Sequence, residues 1–245
     1  MVVQAKIWGE IVGELFLKED TGQIFFTYNQ EFLKKGLEIA PILMPTNSRE
    51  KILSFPTLNF ETFKDLPPVF SDSLPDKFGN TVLNKYLETS GKSLVDINPL
   101  ERLTYVGIRG MGALEYFPLK ASNSYTEQKL VISDIVEIAK EILSDKKNIR
   151  HSSLENILHI GTSAGGARPK ALIAKNNKTN EYVSGDILHS GNDYSYYLLK
   201  IDGASDINDS LTNQYGKLEY AYYKLATGCG VNMTHTEILS ENGRD

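Results

Sequence analysis

The feature that most constrains this chain is the run GTSAGGARPK at residues 161–170. Eight of its ten residues are Gly, Ala, Ser, Thr or Pro, which are too small to fill a hydrophobic core. Glycine lets backbone N–H groups come close to a ligand, and successive N–H groups in such a turn form a concavity for anions, usually phosphates. Arg168 and Lys170 add positive charge there. The run predicts either an anion-binding loop or a flexible hairpin turn, and its spacing matches neither standard phosphate-loop motif.

Composition narrows the class of protein. A chain of 245 residues forms one large domain or two small ones, and 41% hydrophobic residues suit a packed, soluble protein. A net charge of −5 argues against a protein that coats nucleic acid. Cys229 is the single cysteine, so there is no disulfide framework, and neither a secretory signal nor a run of ~20 apolar residues is present. We expect a cytoplasmic protein without membrane contact.

Hydrophobic periodicity predicts an α+β chain that opens with a β-rich part. Residues 2–28 alternate between apolar and polar side chains, which is typical of a meander of short antiparallel strands. A helix is predicted at 78–89 on an apolar stripe. We assign residues 1–120 to an antiparallel, β-rich N-terminal subdomain with helices, and residues 121–148 to a connecting amphipathic helix.

The remaining residues, 149–245, are predicted to form a second, smaller lobe around the glycine-rich run. A hairpin is expected at 171–184, because turn residues separate two apolar stretches, and a further strand at 194–201. A helix is expected at 209–227 from an apolar stripe at helical spacing. That stripe comprises Leu211, Tyr215, Leu218, Tyr222 and Leu225. Packing explains the tyrosines of this region more simply than stacking on nucleic-acid bases.

The order of these pieces matches the small lobe of a protein kinase: a glycine-rich loop, strands of which the last ends in lysine, and a helix with a central glutamate. In kinases this lysine holds the α- and β-phosphates, and the glutamate pairs with it. The candidates here are Lys200 and Glu219. Taken singly, Lys200 also fits a strand-end lysine that reaches solvent, and Glu219 an exposed helix position. The order of the three features favours the kinase layout.

Four separated segments carry a resemblance to one family. They are residues 8–13 (WGEIVG), 71–76 (SDSLPD), 105–114 (YVGIRGMGAL) and 163–171 (SAGGARPKA). With these segments in this order, nearly the whole chain resembles the HipA family, the serine/threonine-kinase toxins of bacterial toxin–antitoxin modules.

The resemblance implies roles by position. Lys200 would contact the nucleotide, with Glu219 as its helix partner, and Ser163 would be the autophosphorylated serine whose phosphate silences the enzyme. The complete kinase would use ATP with Mg²⁺. The phosphate-binding loop would comprise Ala164, Gly165, Gly166, Ala167, Arg168, Pro169 and Lys170.

The family also implies partners. A HipB-like helix-turn-helix antitoxin would hold the toxin, and through it the toxin would meet DNA indirectly. The protein substrate would be an aminoacyl-tRNA synthetase. Residues 1–120 would offer a surface to the antitoxin.

The chain departs from the family after Glu219, because a kinase then needs a catalytic aspartate and metal ligands in a large lobe. The sequence runs only to residue 245, and Asp202, Asp206 and Asp209 precede the helix, where an acidic loop favours a helix start. We therefore expect the large lobe to be absent, with no catalytic residue, no protein metal site, no phosphotransfer, and weak or no ATP binding. Three alternatives remain for this chain. It is an expressed fragment of a longer kinase, the product of a natural truncation or split gene, or a catalytically inactive interaction module that binds an antitoxin or a separate kinase lobe.

Overall fold

The computed structural model describes residues 1–120, 129–144, 149–160, 168–185, 193–202 and 214–239. These ranges contain two four-stranded sheets in which neighbouring strands run antiparallel. Helices pack against both sheets. The predicted α+β class is confirmed, and the kinase-like arrangement of the second half stays a prediction.

The first sheet is built largely from the start of the chain, in the order β3-β2-β1-β4. Its strands are β1 (Val2–Ile7), β2 (Glu10–Lys18), β3 (Gln23–Tyr28) and β4 (Leu114–Phe117). The predicted meander at 2–28 is therefore present. Alternating residues of the strands, including Val3, Ala5 and Phe26, enter a core that also takes Leu100 and Leu103.

Short helices connect β3 to β4. They are α1 (Gln30–Lys34), α2 (Phe60–Phe63), α3 (Pro68–Ser71), α4 (Lys77–Glu88), a 3-10 turn (Leu94–Asp96) and α5 (Pro99–Val106). Asp76 caps α4, because its side chain accepts a hydrogen bond from the Gly79 N–H. Asn98 caps α5 in the same way, and Pro99 follows at the first helical position, where proline is tolerated.

The second sheet has the order β5-β7-β6-β8. Its strands are β5 (Lys129–Leu130), β6 (Lys170–Asn176), β7 (Tyr182–Ser184) and β8 (Tyr194–Lys200). The predicted hairpin at 171–184 corresponds to β6 and β7. Two further helices, α6 (Ile132–Leu143) and α7 (His151–Ile160), precede β6.

The core under the second sheet draws on both halves of the chain. Apolar residues of α4, among them Phe78, Val82 and Leu83, belong to the same buried cluster as Ile135 of α6 and Ile173 of β6. The apolar stripe of α4 therefore faces the second core, whereas the apolar side chains of α5 pack into the first core. The sequence boundaries proposed at 120 and 148 do not coincide with the division between the two cores.

Helix α8 (Tyr215–Gly228) has no buried residue. Three members of the stripe expected to pack inward are exposed: Leu218 by 52%, Tyr222 by 65% and Leu225 by 67%. These side chains are exposed because no described element covers this face of α8. Tyr197 of β8 packs against the second core, so packing accounts for the tyrosines of this region only in part. Leu211 lies outside the described residues. Among the described helices, none has the length and apolar character required to cross a bilayer.

Candidate functional site

The end of β8 and the first turns of α8 meet at an ion pair. Lys200 Nζ lies 2.5 Å from Glu219 Oε2, and the two side chains are 50% and 46% exposed. A half-exposed pair contributes little to stability, since solvent screens it and both side chains lose rotamer freedom. In this arrangement the Lys200 ammonium points toward α8, and both side chains stay half open to solvent.

A second contact joins the same two elements. Asp202, two residues beyond Lys200, accepts a hydrogen bond from the Gly216 N–H at 2.5 Å through Oδ2. The carboxylate occupies the N-terminal end of α8, where unpaired N–H groups and the helix dipole favour negative charge. Asp202 thus has the role predicted for the acidic loop, and Asp206 and Asp209 lie outside the described residues. This contact holds the start of α8 beside the strand end that carries Lys200.

Arg168 also contacts the start of α8. Its guanidinium carbon lies 3.6 Å from the centroid of the Tyr215 ring, which is cation–π geometry. Sequence reasoning assigned Arg168 to a phosphate loop and missed Tyr215 as its neighbour. The only sequence signal for this contact was an aromatic residue at the beginning of a predicted helix. Such a contact has no fixed spacing along the sequence, so the arginine partner could not be identified.

Lys170 is buried against the N-terminal part of the chain. Its Nζ lies 2.8 Å from Asp76 Oδ2, and each of the two side chains is only 7% exposed. The other oxygen of Asp76 accepts the Gly79 N–H at 2.7 Å. Sequence analysis included Asp76 only in the segment 71–76 that carries the family resemblance, although an aspartate just before a helical stripe is a helix-cap signal.

The β6–β8 register relates the two lysines. Lys170 lies directly opposite Lys200 in the antiparallel ladder, and the Ile201 N–H donates to the Pro169 carbonyl oxygen at 3.0 Å. Like charges directly opposite each other destabilise a sheet. Here each lysine has its own carboxylate, Asp76 from the N-terminal cap of α4 and Glu219 from α8.

A cavity of about 340 Å³ adjoins the Lys200–Glu219 pair. It lies between β8, the first turns of α8 and residues 234–239, and its lining includes Tyr196, Leu198, Lys200 and Ile238. This volume falls within the range of small-molecule pockets, which combine an apolar lining with a few directed polar groups. The site is thus an open cavity with one lysine held in place by a helix carboxylate.

Several predicted site residues cannot be compared with this geometry. Ser163, Ala164, Gly165, Gly166 and Ala167 lie outside the described residues, and their roles stay predictions. Over the described ranges, no group of three or more His, Cys, Asp or Glu side chains is arranged to hold a metal ion.

Two family models match the chain, one before residue 118 and one after residue 161. The model of the HipA N-terminal domain matches residues 3–117, and that of the HipA-like C-terminal domain matches residues 162–245. No curated protein matches the chain at a significant level. The first match spans β1 to β4, and the second begins within the glycine-rich run and continues through Lys200 and Glu219. The two matches follow each other in order along the same polypeptide, and the chain belongs to the HipA family.

Proposed function

We propose that this chain is the N-terminal portion of a HipA-like serine/threonine kinase toxin, acting in the cytoplasm, and that it holds the phosphates of ATP. Residues 164–169 and Lys200 contact the phosphates, with Glu219 holding the lysine. The observation that carries the proposal is the Lys200–Glu219 ion pair in the lining of the 340 Å³ cavity. Family membership supports it, because the second match starts at the glycine-rich run.

The chemistry of the pair suits phosphate binding. An ammonium group fixed by a carboxylate is already oriented when the nucleotide arrives, so less rotamer freedom is lost on binding. Half of the Lys200 side chain is exposed, which leaves its ammonium accessible to a phosphate oxygen. When bound, Mg²⁺ neutralises charge on the phosphates. A phosphate on Ser163 adds nearly two negative charges to the loop and opposes nucleotide binding, which explains silencing by autophosphorylation.

On this proposal, the aspartate base and the metal ligands belong to a large lobe supplied in cis or by a second polypeptide. This chain alone then binds ATP weakly and transfers no phosphoryl group, since positioning and electrostatic stabilisation by that lobe supply the catalysis.

The proposal is tested with an acyl phosphate of ATP, a reagent that acylates lysines close to bound phosphates and therefore detects weak binding. We expect labelling of Lys200 that excess ATP with Mg²⁺ suppresses, measured by peptide mass spectrometry. Lys178 is an internal control, because it is exposed in an ion pair with Asp193 away from the cavity. Labelling of Lys200 that ATP leaves unchanged contradicts the proposal.

The exposed face of α8 favours a second function, that of a catalytically inactive interaction module. Leu218, Tyr222 and Leu225 form an apolar surface of the kind that marks a protein interface. A HipB-like helix-turn-helix antitoxin or a separately encoded kinase lobe would cover this face of α8. The antitoxin would link the chain to DNA. An aminoacyl-tRNA synthetase would be the substrate of the assembled kinase. Co-purification with either partner, lost on Leu218→Gln with Leu225→Gln, supports this function, and retention after both changes opposes it.

A further inference from the structure

We propose that Asp76 is a positioning residue for the nucleotide site. Through its buried ion pair with Lys170, it fixes the end of β6 that follows the glycine-rich run. The N-terminal domain thereby holds this strand end, which is paired with the end of β8 that carries Lys200. This inference rests on the proposed nucleotide site, and it gives Lys170 an anchoring role in place of the phosphate contact implied by the family resemblance.

Burial distinguishes the two lysines of the site. The Lys170 and Asp76 side chains are each 7% exposed, whereas those of Lys200 and Glu219 are half exposed. A buried ammonium must keep its carboxylate, because separation leaves an uncompensated charge away from water. Lys170 is therefore committed to Asp76 in this conformation, and Lys200 is the lysine that a phosphate can reach.

The carboxylate of Asp76 is itself held rigidly. Its Oδ1 accepts the Gly79 N–H at 2.7 Å, and the Asn80 amide donates to the Pro75 carbonyl oxygen at 2.7 Å on the other side of the cap. Helix α4 then enters the second core through Phe78 and Val82. Because the cap and the helix are fixed by packing, Asp76 determines where the Lys170 ammonium lies.

Three contacts connect residues 168–170 to the rest of the site. Lys170 is the direct ladder partner of Lys200, and the Pro169 carbonyl oxygen accepts the Ile201 N–H. Arg168 stacks on Tyr215 at the start of α8, the helix that bears Glu219. Loss of the Asp76 contact therefore loosens the strand end at 168–170, which contacts both the end of β8 and the start of α8.

The test uses the whole chain and three variants. Asp76→Asn removes the charge and keeps a side-chain oxygen that can cap α4, since asparagine is as good a cap as aspartate. Lys170→Met removes the ammonium. The double variant removes both charges, which avoids a buried charge without a partner and keeps the fold testable. Leu83→Ala is the stability control, because Leu83 is buried in the same core but has no place in the proposed site.

Two measurements are made on each variant below its melting temperature: ATP-suppressible acylation of Lys200, and amide hydrogen exchange of residues 170–174. We expect Lys170→Met and the double variant to weaken ATP protection equally, by about tenfold, because groups that act as one unit are not additive. Exchange in residues 170–174 should accelerate in both. Leu83→Ala should lower the melting temperature while leaving ATP protection unchanged.

Different outcomes separate the two proposals. If ATP binds more tightly to Asp76→Asn and more weakly to Lys170→Met, then Lys170 is a phosphate ligand that Asp76 restrains. That result would overturn the proposed anchoring role of Lys170. The anchoring role is also overturned if the double variant shows unchanged amide hydrogen exchange in residues 170–174 and unchanged ATP protection of Lys200. Absence of ATP protection in the unaltered chain refutes the nucleotide site, and hydrogen exchange then still decides whether Asp76 holds the end of β6.

Discussion

In the N-terminal core, the Tyr28 hydroxyl donates a hydrogen bond to the Met44 carbonyl oxygen at 2.6 Å. The ring packs edge-on against Phe26 and parallel to Phe32. Burial, with a smaller effect from the Glu38 charge, raises the pKa of Tyr28 from 10.0 to about 12. The neutral hydroxyl is thus part of the core, and its ionisation is coupled to unfolding.

This coupling predicts a loss of stability in alkali. The unfolded chain releases the Tyr28 proton near pH 10 and the folded chain only near pH 12, so the stabilisation is complete below pH 10 and is lost as the pH rises toward 12. Urea unfolding of Tyr28→Phe should show a loss of about 1 kcal/mol at pH 7, from the missing hydrogen bond, and a shallower decline above pH 10. Tyr222→Phe, at an exposed position, should follow the unaltered protein at every pH.

At the scale of elements, α8 is stabilised at its start by a group outside the helix. The Asp202 carboxylate accepts the Gly216 N–H, and a Cβ added at residue 216 would lie 2.9 Å from Asp202 Oδ2. Nothing lies within 4 Å of a Cβ added at Gly228, near the other end of the same helix. Gly216 therefore has a steric reason to be glycine, whereas the surroundings of Gly228 leave room for a side chain.

Alanine at these two positions should give different results. Gly228→Ala should raise the free energy of unfolding by up to about 1 kcal/mol, the usual gain on replacing a helical glycine. Gly216→Ala should lose that gain, because displacing the Asp202 cap costs about 1 kcal/mol. Thermal unfolding followed by circular dichroism measures both. A Gly216→Ala protein as stable as Gly228→Ala would show that the cap is dispensable.

Helices α4 and α8 have apolar stripes of similar spacing, but the stripe of α4 is buried and that of α8 is exposed. Leu83 of α4 is fully buried in the second core, whereas Leu225 of α8 is 67% exposed. Leu83→Ala should destabilise the protein by about 2–5 kcal/mol, the range for buried leucines. Leu225→Ala should change the free energy of unfolding by less than about 0.5 kcal/mol. Equal losses in denaturant unfolding would mean that α8 packs inward in solution.

At the scale of the whole molecule, the N-terminal half of the sequence contributes to both cores. Residues 78–97 lie between segments of the first core, yet Phe78, Leu87 and Ile97 belong to the second. The buried Asp76–Lys170 pair joins the halves at the same place. Neither half of the sequence therefore contains a complete set of partners for its own apolar side chains.

Separated halves should accordingly be poorly soluble. A fragment of residues 1–120 exposes the apolar face of α4, and large exposed apolar faces promote association. We expect it to aggregate alone and to become soluble when co-expressed with residues 121–245, as measured by size-exclusion chromatography. A monomeric 1–120 fragment that melts at the temperature of the whole chain would contradict a shared core.

Local patterns in the sequence were sufficient for features that depend on neighbours along the chain. Alternation at 2–28 predicted the three strands β1 to β3, because side chains of a strand alternate between faces. Turn residues predicted the β6–β7 hairpin. The order of glycine-rich loop, strand-end lysine and helix, shared with the kinase small lobe, predicted that Lys200 meets Glu219. Each depends on contacts between elements that follow one another closely.

Tertiary structure alone decided which core receives α4, whether α8 is covered, and which lysine of the site is buried. Asp76 and Lys170 are 94 residues apart, and nothing in the residues around either one indicates the other. The stripe of α8 has the spacing of a buried helix face, yet burial depends on whether another element covers it. Periodicity reports which face of an element is apolar, and only the packing of distant segments determines what that face contacts.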